Sequence, residues 1–106
     1  MATPPRPLTI VTGAGRGIGA ATAVHLARGG HDVVVGYRED RASAGAVVDA
    51  VRAVGARAVA VAGDVSDEGD VAHLFEAAAD LGRVTGLVIS GGNLDPEVFA
   101  RALAEG

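Results

Sequence analysis

Short apolar runs alternate along this chain with longer stretches in which apolar residues recur every three or four positions. The runs are Leu8–Thr12, Val33–Val35 (closing at Gly36-Tyr37-Arg38), Ala58–Ala62 and Leu87–Ile89. None is broken by charge, and such continuity predicts strands buried on both faces, as in a parallel sheet. Between them the pattern is helical. The first helix is expected over about Gly17–Arg28, with Gly29-Gly30 supplying the left-handed residue that ends it. A second begins near Arg41, shows one face in Val47, Ala50, Val51 and Val54, and stops at Gly55. A third repeats that spacing in Val71, Leu74, Phe75 and Ala78 and closes at Gly82. Ser66 is its expected N-cap, with Asp67 and Glu68 in the first turn where the helix dipole favours negative charge. Asp95-Pro96 reads as the N-cap and first residue of a short last helix through Leu103.

The order is strand-helix four times over. Parallel strand-helix-strand units are right-handed almost without exception. The expected architecture is therefore α/β, an open, doubly wound sheet of four strands in the order 3-2-1-4, with helices on both faces. Its ligand crevice lies at the carboxyl ends of strands one and four, where the winding reverses. Residues 1–106 read as one domain, with 1–7 a proline-rich, extended lead-in.

The first strand runs without a polar break into Gly13-Ala14-Gly15-Arg16-Gly17-Ile18-Gly19, and this turn runs straight into a helix. Each feature has a physical purpose. Glycine reaches backbone angles closed to residues with a Cβ. A missing side chain lets a phosphate approach the backbone, and the last glycine lets the helix pack close to the strand it has left. The helix start then offers unpaired N–H groups and a positive dipole end to an anion. The spacing is G-x-x-x-G-x-G at Gly13, Gly17 and Gly19, not the commoner G-x-G-x-x-G, since Ile18 stands where that third glycine belongs. A phosphate-binding P-loop is excluded because the chain has no lysine.

With Thr12 before it, this motif resembles that of the short-chain dehydrogenase/reductase family, and the resemblance covers nearly the whole chain. It implies a Rossmann-like fold, here only the N-terminal, cofactor-binding half, because 106 residues is less than half of a usual member. It implies a nicotinamide dinucleotide as cofactor. NAD sites usually place a carboxylate at the end of strand two to hold the ribose 2′-hydroxyl. Tyr37 and Arg38 stand there instead. An arginine fork suits a 2′-phosphate, and Arg16 in the turn is placed to reach the same group. NADP(H) is thus expected over NAD(H). The alternative is that Glu39 or Asp40 meets a 2′-hydroxyl and Arg38 is solvated.

In the resembling family an Asp-Val pair after strand three holds the adenine, and Asp64-Val65 occupies that place. After strand four the family has Asn-Asn-Ala-Gly. Here Ile89-Ser90-Gly91-Gly92 stands there and only the final glycine matches, although Gly91 still lets a ribose approach. The expected cofactor set is Gly13, Gly15, Arg16, Gly17, Ile18, Gly19, Tyr37, Arg38, Asp64, Val65, Ser90, Gly91 and Gly92.

The family's hydride transfer uses a tyrosine acid, a lysine that lowers its pKa, a serine on the substrate oxygen and a helical asparagine. No catalytic residue is assigned here. Lysine is absent, the one tyrosine is Tyr37, and Ser43, Ser66 and Ser90 stand in no matching motif. Two functional classes follow. One is the NADP(H)-binding part of an oxidoreductase whose catalytic half is elsewhere, inactive by itself. The other is a non-catalytic nucleotide-binding module.

Composition narrows the partners. The net charge of −4, with no basic patch interleaved with aromatics, argues against nucleic acid. There is no cysteine, and His25, His31 and His73 show no metal-ligand spacing. No apolar run approaches the ~18 residues of a membrane span, and residues 1–7 lack a signal-peptide core. A cytoplasmic location is expected. Leu87–Ile89 is expected to form an apolar sheet edge that invites self-association.

Overall fold

A computed structural model of the chain describes residues 6–15 and 17–89. The elements in order are β1 (Leu8–Thr12), α1 (Gly17–Arg28), β2 (Asp32–Tyr37), α2 (Arg41–Ala53), β3 (Ala58–Ala62), α3 (Glu68–Leu81) and β4 (Val84–Ile89). All strand pairs are parallel and the sheet order is β3-β2-β1-β4. This is the doubly wound sheet that the apolar pattern predicts. The last helix expected at Asp95–Leu103 lies outside the described residues.

Alternation along each strand divides the core in two. Val11, Val33 and Val35 face α1 and α2, where Ala23, Ala27, Ala44 and Val51 meet them. Leu8, Ile10, Val34 and Val61 face α3 through Leu74 and Ala78. Val33, Val34 and Val35 are wholly buried, which makes β2 central in packing as well as in order. Fully burying a valine is worth roughly 1.5–3 kcal/mol before the entropy of ordering the chain.

Three expectations need correction. The fourth strand begins at Val84, not Leu87. Its register on β1 shifts between Leu8↔Val84 and Thr9↔Gly86, so Thr85 is the extra residue of a bulge. The Thr85 hydroxyl accepts from the Leu8 N–H at 3.1 Å. Gly86 fits closely there, since a Cβ would stand 3.0 Å from Thr9 Oγ1. The α2 core face is Ala44, Val47, Val48 and Val51, while Val54, past the last helical turn, is 40% exposed. The N-cap of α3 is Asp67, whose side chain accepts from Asp70 N. Ser66 lies one residue further from the helix start, with its N–H and hydroxyl both donating to Asp64 Oδ1.

Candidate cofactor site

The carboxyl end of β1 opens into the glycine turn. Gly13 and Gly17 have φ of 63° and 64°, the left-handed region that a side chain disfavours. Gly19 serves a different need: a Cβ there would lie 2.2 Å from the Gly13 carbonyl oxygen. Only glycine lets the first turn of α1 press so closely on the turn that precedes it. The turn is tied sideways as well, by Ala14 N donating to Gly36 O at 2.9 Å. Gly15 sits against the end of β2, with its ideal Cβ position 3.6 Å from Tyr37 Cβ. The glycine turn, Tyr37 and the first turn of α2 thus form one ledge.

The first turn of α1 has no acidic residue, whereas α2 and α3 are capped by Asp40 and Asp67. The positive end of the α1 dipole lies at the glycine turn. Ile18 stands beside it, 81% exposed.

One further step along the sheet, Arg38 leaves β2 and Asp64 leaves β3. Arg38 Nη2 lies 3.2 Å from Asp64 Oδ2. The two loops are joined below this pair by Gly63 N donating to Tyr37 O at 2.9 Å. The Asp64 carboxyl is held below the usual range, first by the Ser66 backbone N–H and hydroxyl, which outweigh partial burial, and also by Arg38. Val65 is half-buried against Val71. Arg16, Ser90, Gly91 and Gly92 lie outside the described residues. Among the described residues no group of three His, Asp or Glu side chains could hold a metal, and no helix is long and apolar enough to cross a membrane.

A cavity of about 810 Å³ lies at the other end of the sheet, lined by Arg6, Asp32, Arg57, Leu81, Arg83 and Thr85. It opens at the amino ends of the strands, away from the crevice where the winding reverses. Its floor is Asp32, 1% exposed and bonded to both Arg6 and Arg57. Sequence reading passed over this network; its one signal was a carboxylate opening a run of valines.

Sheet order, glycine turn and helix start together define an α/β protein of the doubly wound, Rossmann-like class. The model of the short chain dehydrogenase family matches residues 7–105, and the chain belongs to that family. Short chain dehydrogenase claC of Passalora fulva is 45% identical over 78 residues, covering 73% of this chain and 29% of that protein. Among solved structures, acetoin dehydrogenase from Enterobacter cloacae superposes with a TM-score of 0.80 at 31% identity, over 88% of this chain and 37% of that one. Hydroxysteroid dehydrogenase from Escherichia coli gives a TM-score of 0.75 at 35% identity, over 82% and 37%. The chain spans about a third of the length of the curated relatives it matches. Members of the family bind nicotinamide dinucleotides.

Proposed function

We propose that residues 1–106 act as one NADP(H)-binding unit of a short-chain dehydrogenase-type oxidoreductase. The carrying observation is the close approach of Gly19 to the Gly13 carbonyl, which presses the α1 N-terminus onto the glycine turn. A pyrophosphate fits that cradle, and a Cβ at Gly13 or Gly17 would strain it. In this reading Gly13, Gly15, Gly17, Ile18 and Gly19 take the pyrophosphate side of the cofactor, and Arg16 takes the 2′-phosphate together with Arg38. Tyr37 and Arg38 take the adenosine ribose and its 2′-phosphate, and Asp64 and Val65 the adenine. Ser90, Gly91 and Gly92 approach the other ribose.

Support for NADP(H) over NAD(H) comes from the end of β2. The residue there is Tyr37, and Arg38 beyond it is 69% exposed at its side chain, so its fork is open to a ligand. When bound, the cofactor's nicotinamide supplies the hydride exchanged with a carbonyl or alcohol carbon. This chain's residues bind and orient the dinucleotide. They hold no tyrosine-lysine pair for the accompanying proton, since lysine is absent and Tyr37 sits at the β2 end.

Titration with NADPH and NADH, followed by cofactor fluorescence, tests the reading. NADPH is expected to bind more tightly, and Arg38→Asp to reverse the order, because an arginine–phosphate hydrogen bond is worth roughly 1.5–3 kcal/mol. Equal affinities for the two cofactors would refute the NADP(H) assignment. A second reading is a nucleotide-binding module without catalysis. A Tyr-x-x-x-Lys pattern in the coding DNA that follows Gly106 would separate the two in favour of the first.

A further inference from the structure

Arg38 and Asp64 were singled out for different parts of one ligand, yet they are bonded to each other. Their ways of being held differ. Asp64 is fixed from its own loop: Oδ1 accepts from the Ser66 N–H at 2.9 Å and from the Ser66 hydroxyl at 2.7 Å. Its backbone N–H donates to Asp70 Oδ2 at 2.9 Å. Its side chain is 34% exposed, while that of Arg38 is 69% exposed and meets Asp64 through a single 3.2 Å contact. Charge-assisted pairs of this kind usually close to about 2.7–2.9 Å. The carboxylate is therefore the fixed partner and the guanidinium the adjustable one, with one of its five donors bonded among the described residues.

That arrangement has two effects on an incoming 2′-phosphate. It holds the guanidinium over the seam between β2 and β3. It also leaves a negative charge on the same guanidinium that the phosphate would use. We infer that Asp64 is a specificity-determining residue which, through Arg38, restrains the preference for NADP(H) over NAD(H). The carboxylate competes with the 2′-phosphate for one arginine, and NAD(H), with a hydroxyl in that place, meets no such competition. This rests on the proposed contact of Arg38 with the 2′-phosphate.

Asp64→Asn isolates the charge. The amide oxygen still accepts from Ser66, and an exposed ion pair contributes little to folding. NADPH and NADH are titrated by fluorescence into the parent, Asp64→Asn, Arg38→Gln and the double variant. Both cofactors carry the adenine that Asp64 is proposed to meet, so the readout is the NADPH-to-NADH affinity ratio. Asp64→Asn is expected to raise that ratio roughly fivefold, the size of one unit-charge interaction across a solvated surface. In the Arg38→Gln background the same substitution is expected to move the ratio by less than about twofold. Asp64→Ser removes the same charge and is held to the same outcome. Equal effects on both cofactors would mean that Asp64 acts on the shared adenine, and would overturn the inference. So would an equal gain in the parent and in the Arg38→Gln background, which would show a general charge effect. An unchanged NADPH-to-NADH ratio in Arg38→Gln, or no binding of either cofactor, removes the 2′-phosphate reading itself and this inference with it.

Discussion

Asp32 Oδ1 accepts from the backbone N–H of Arg57 at 2.9 Å, and Asp32 Oδ2 lies 3.2 Å from Arg57 Nε, joining the first residue of β2 to the residue before β3. Arg6 adds a third bond, to Oδ1 at 2.9 Å. The Arg57 guanidinium also reaches the Leu81 carbonyl at the end of α3. One buried carboxylate thereby organises the amino ends of three strands and the end of a helix, opposite the ledge proposed for the cofactor.

Acid stability should report this network. Burial alone would raise the Asp32 pKa, but the bonds from the Arg57 backbone, the Arg57 side chain and Arg6 outweigh it and hold the carboxyl below its ordinary 3.8. The folded pKa is thus the lower one. Asp32 contributes its full stability above the unfolded value and loses it as pH falls through the folded value, from about pH 4 downward. Asp64 is shifted in the same direction and has the same sign. Urea midpoints across that range are expected to fall with pH. Asp32→Asn is expected to lower stability at neutral pH by about 1–3 kcal/mol and to flatten the acid limb. The arginines are 41% and 61% exposed, so water takes up their charge and the cost stays below that of breaking a fully buried pair. An acid limb identical in Asp32→Asn would show that Asp32 does not titrate with folding.

The two kinds of glycine in the turn should separate by experiment. Gly19→Ala puts a Cβ 2.2 Å from a backbone oxygen that has nowhere to move, so it is expected to cost about 1–3 kcal/mol or more. A Cβ at Gly17 meets no atom within 4 Å, so the folding penalty of Gly17→Val comes chiefly from the left-handed φ of 64°, about 1–2 kcal/mol. The variant is expected to fold with most of its helical circular dichroism and to lose nucleotide binding, because the side chain stands where the pyrophosphate is proposed. Gly45→Ala is the control. It lies inside α2 with open space around it and should gain about 0.5–1 kcal/mol. Undiminished NADPH binding by Gly17→Val would move the pyrophosphate elsewhere.

The β1–β4 bulge gives a separate stability test. Thr85→Val removes the oxygen that accepts from Leu8 N. An unpaired, partly buried N–H costs about 1–2 kcal/mol, read as a lower denaturant midpoint, whereas Thr85→Ser keeps the bond and the midpoint. Equal midpoints for the two variants would mean that water replaces the hydroxyl at no cost.

What could be read from the chain alone, and what could not, follows from range. Strand order came from apolar runs alternating with helical periods, a local signal that each segment carries in itself. The glycine turn was legible for the same reason: Gly13, Gly17 and Gly19 are close in sequence and act on one bend. The start of β4 was hidden because Thr85 and Gly86 look like loop residues until Leu8 and Thr9 are set opposite them. Ser66 and Asp67 are adjacent and both good caps, and the choice turns on a helix start one residue later than expected, at Glu68. The meeting of Arg38 with Asp64, and of Asp32 with Arg57, depends on the β2–β3 register, which sets Tyr37 beside Ala62 and Val33 beside Ala58.

Association of chains is the last expectation. Among the described residues β4 pairs on one side only, with β1. Its other side has no strand partner among the described residues, and Leu87 and Val88 are only partly buried. Such an edge favours pairing. A symmetric dimer would join two β4 edges antiparallel across a two-fold axis. Light scattering is expected to show a mass that rises with protein concentration. Val88→Lys should hold the chain monomeric, its charge reaching water past the edge. Because Val88 also packs toward α1 and α2, Val88→Ala serves as the comparison: it trims the same packing without adding charge and should still associate. A monomer at every concentration, or equal behaviour of the lysine and alanine variants, would mean that this edge does not pair.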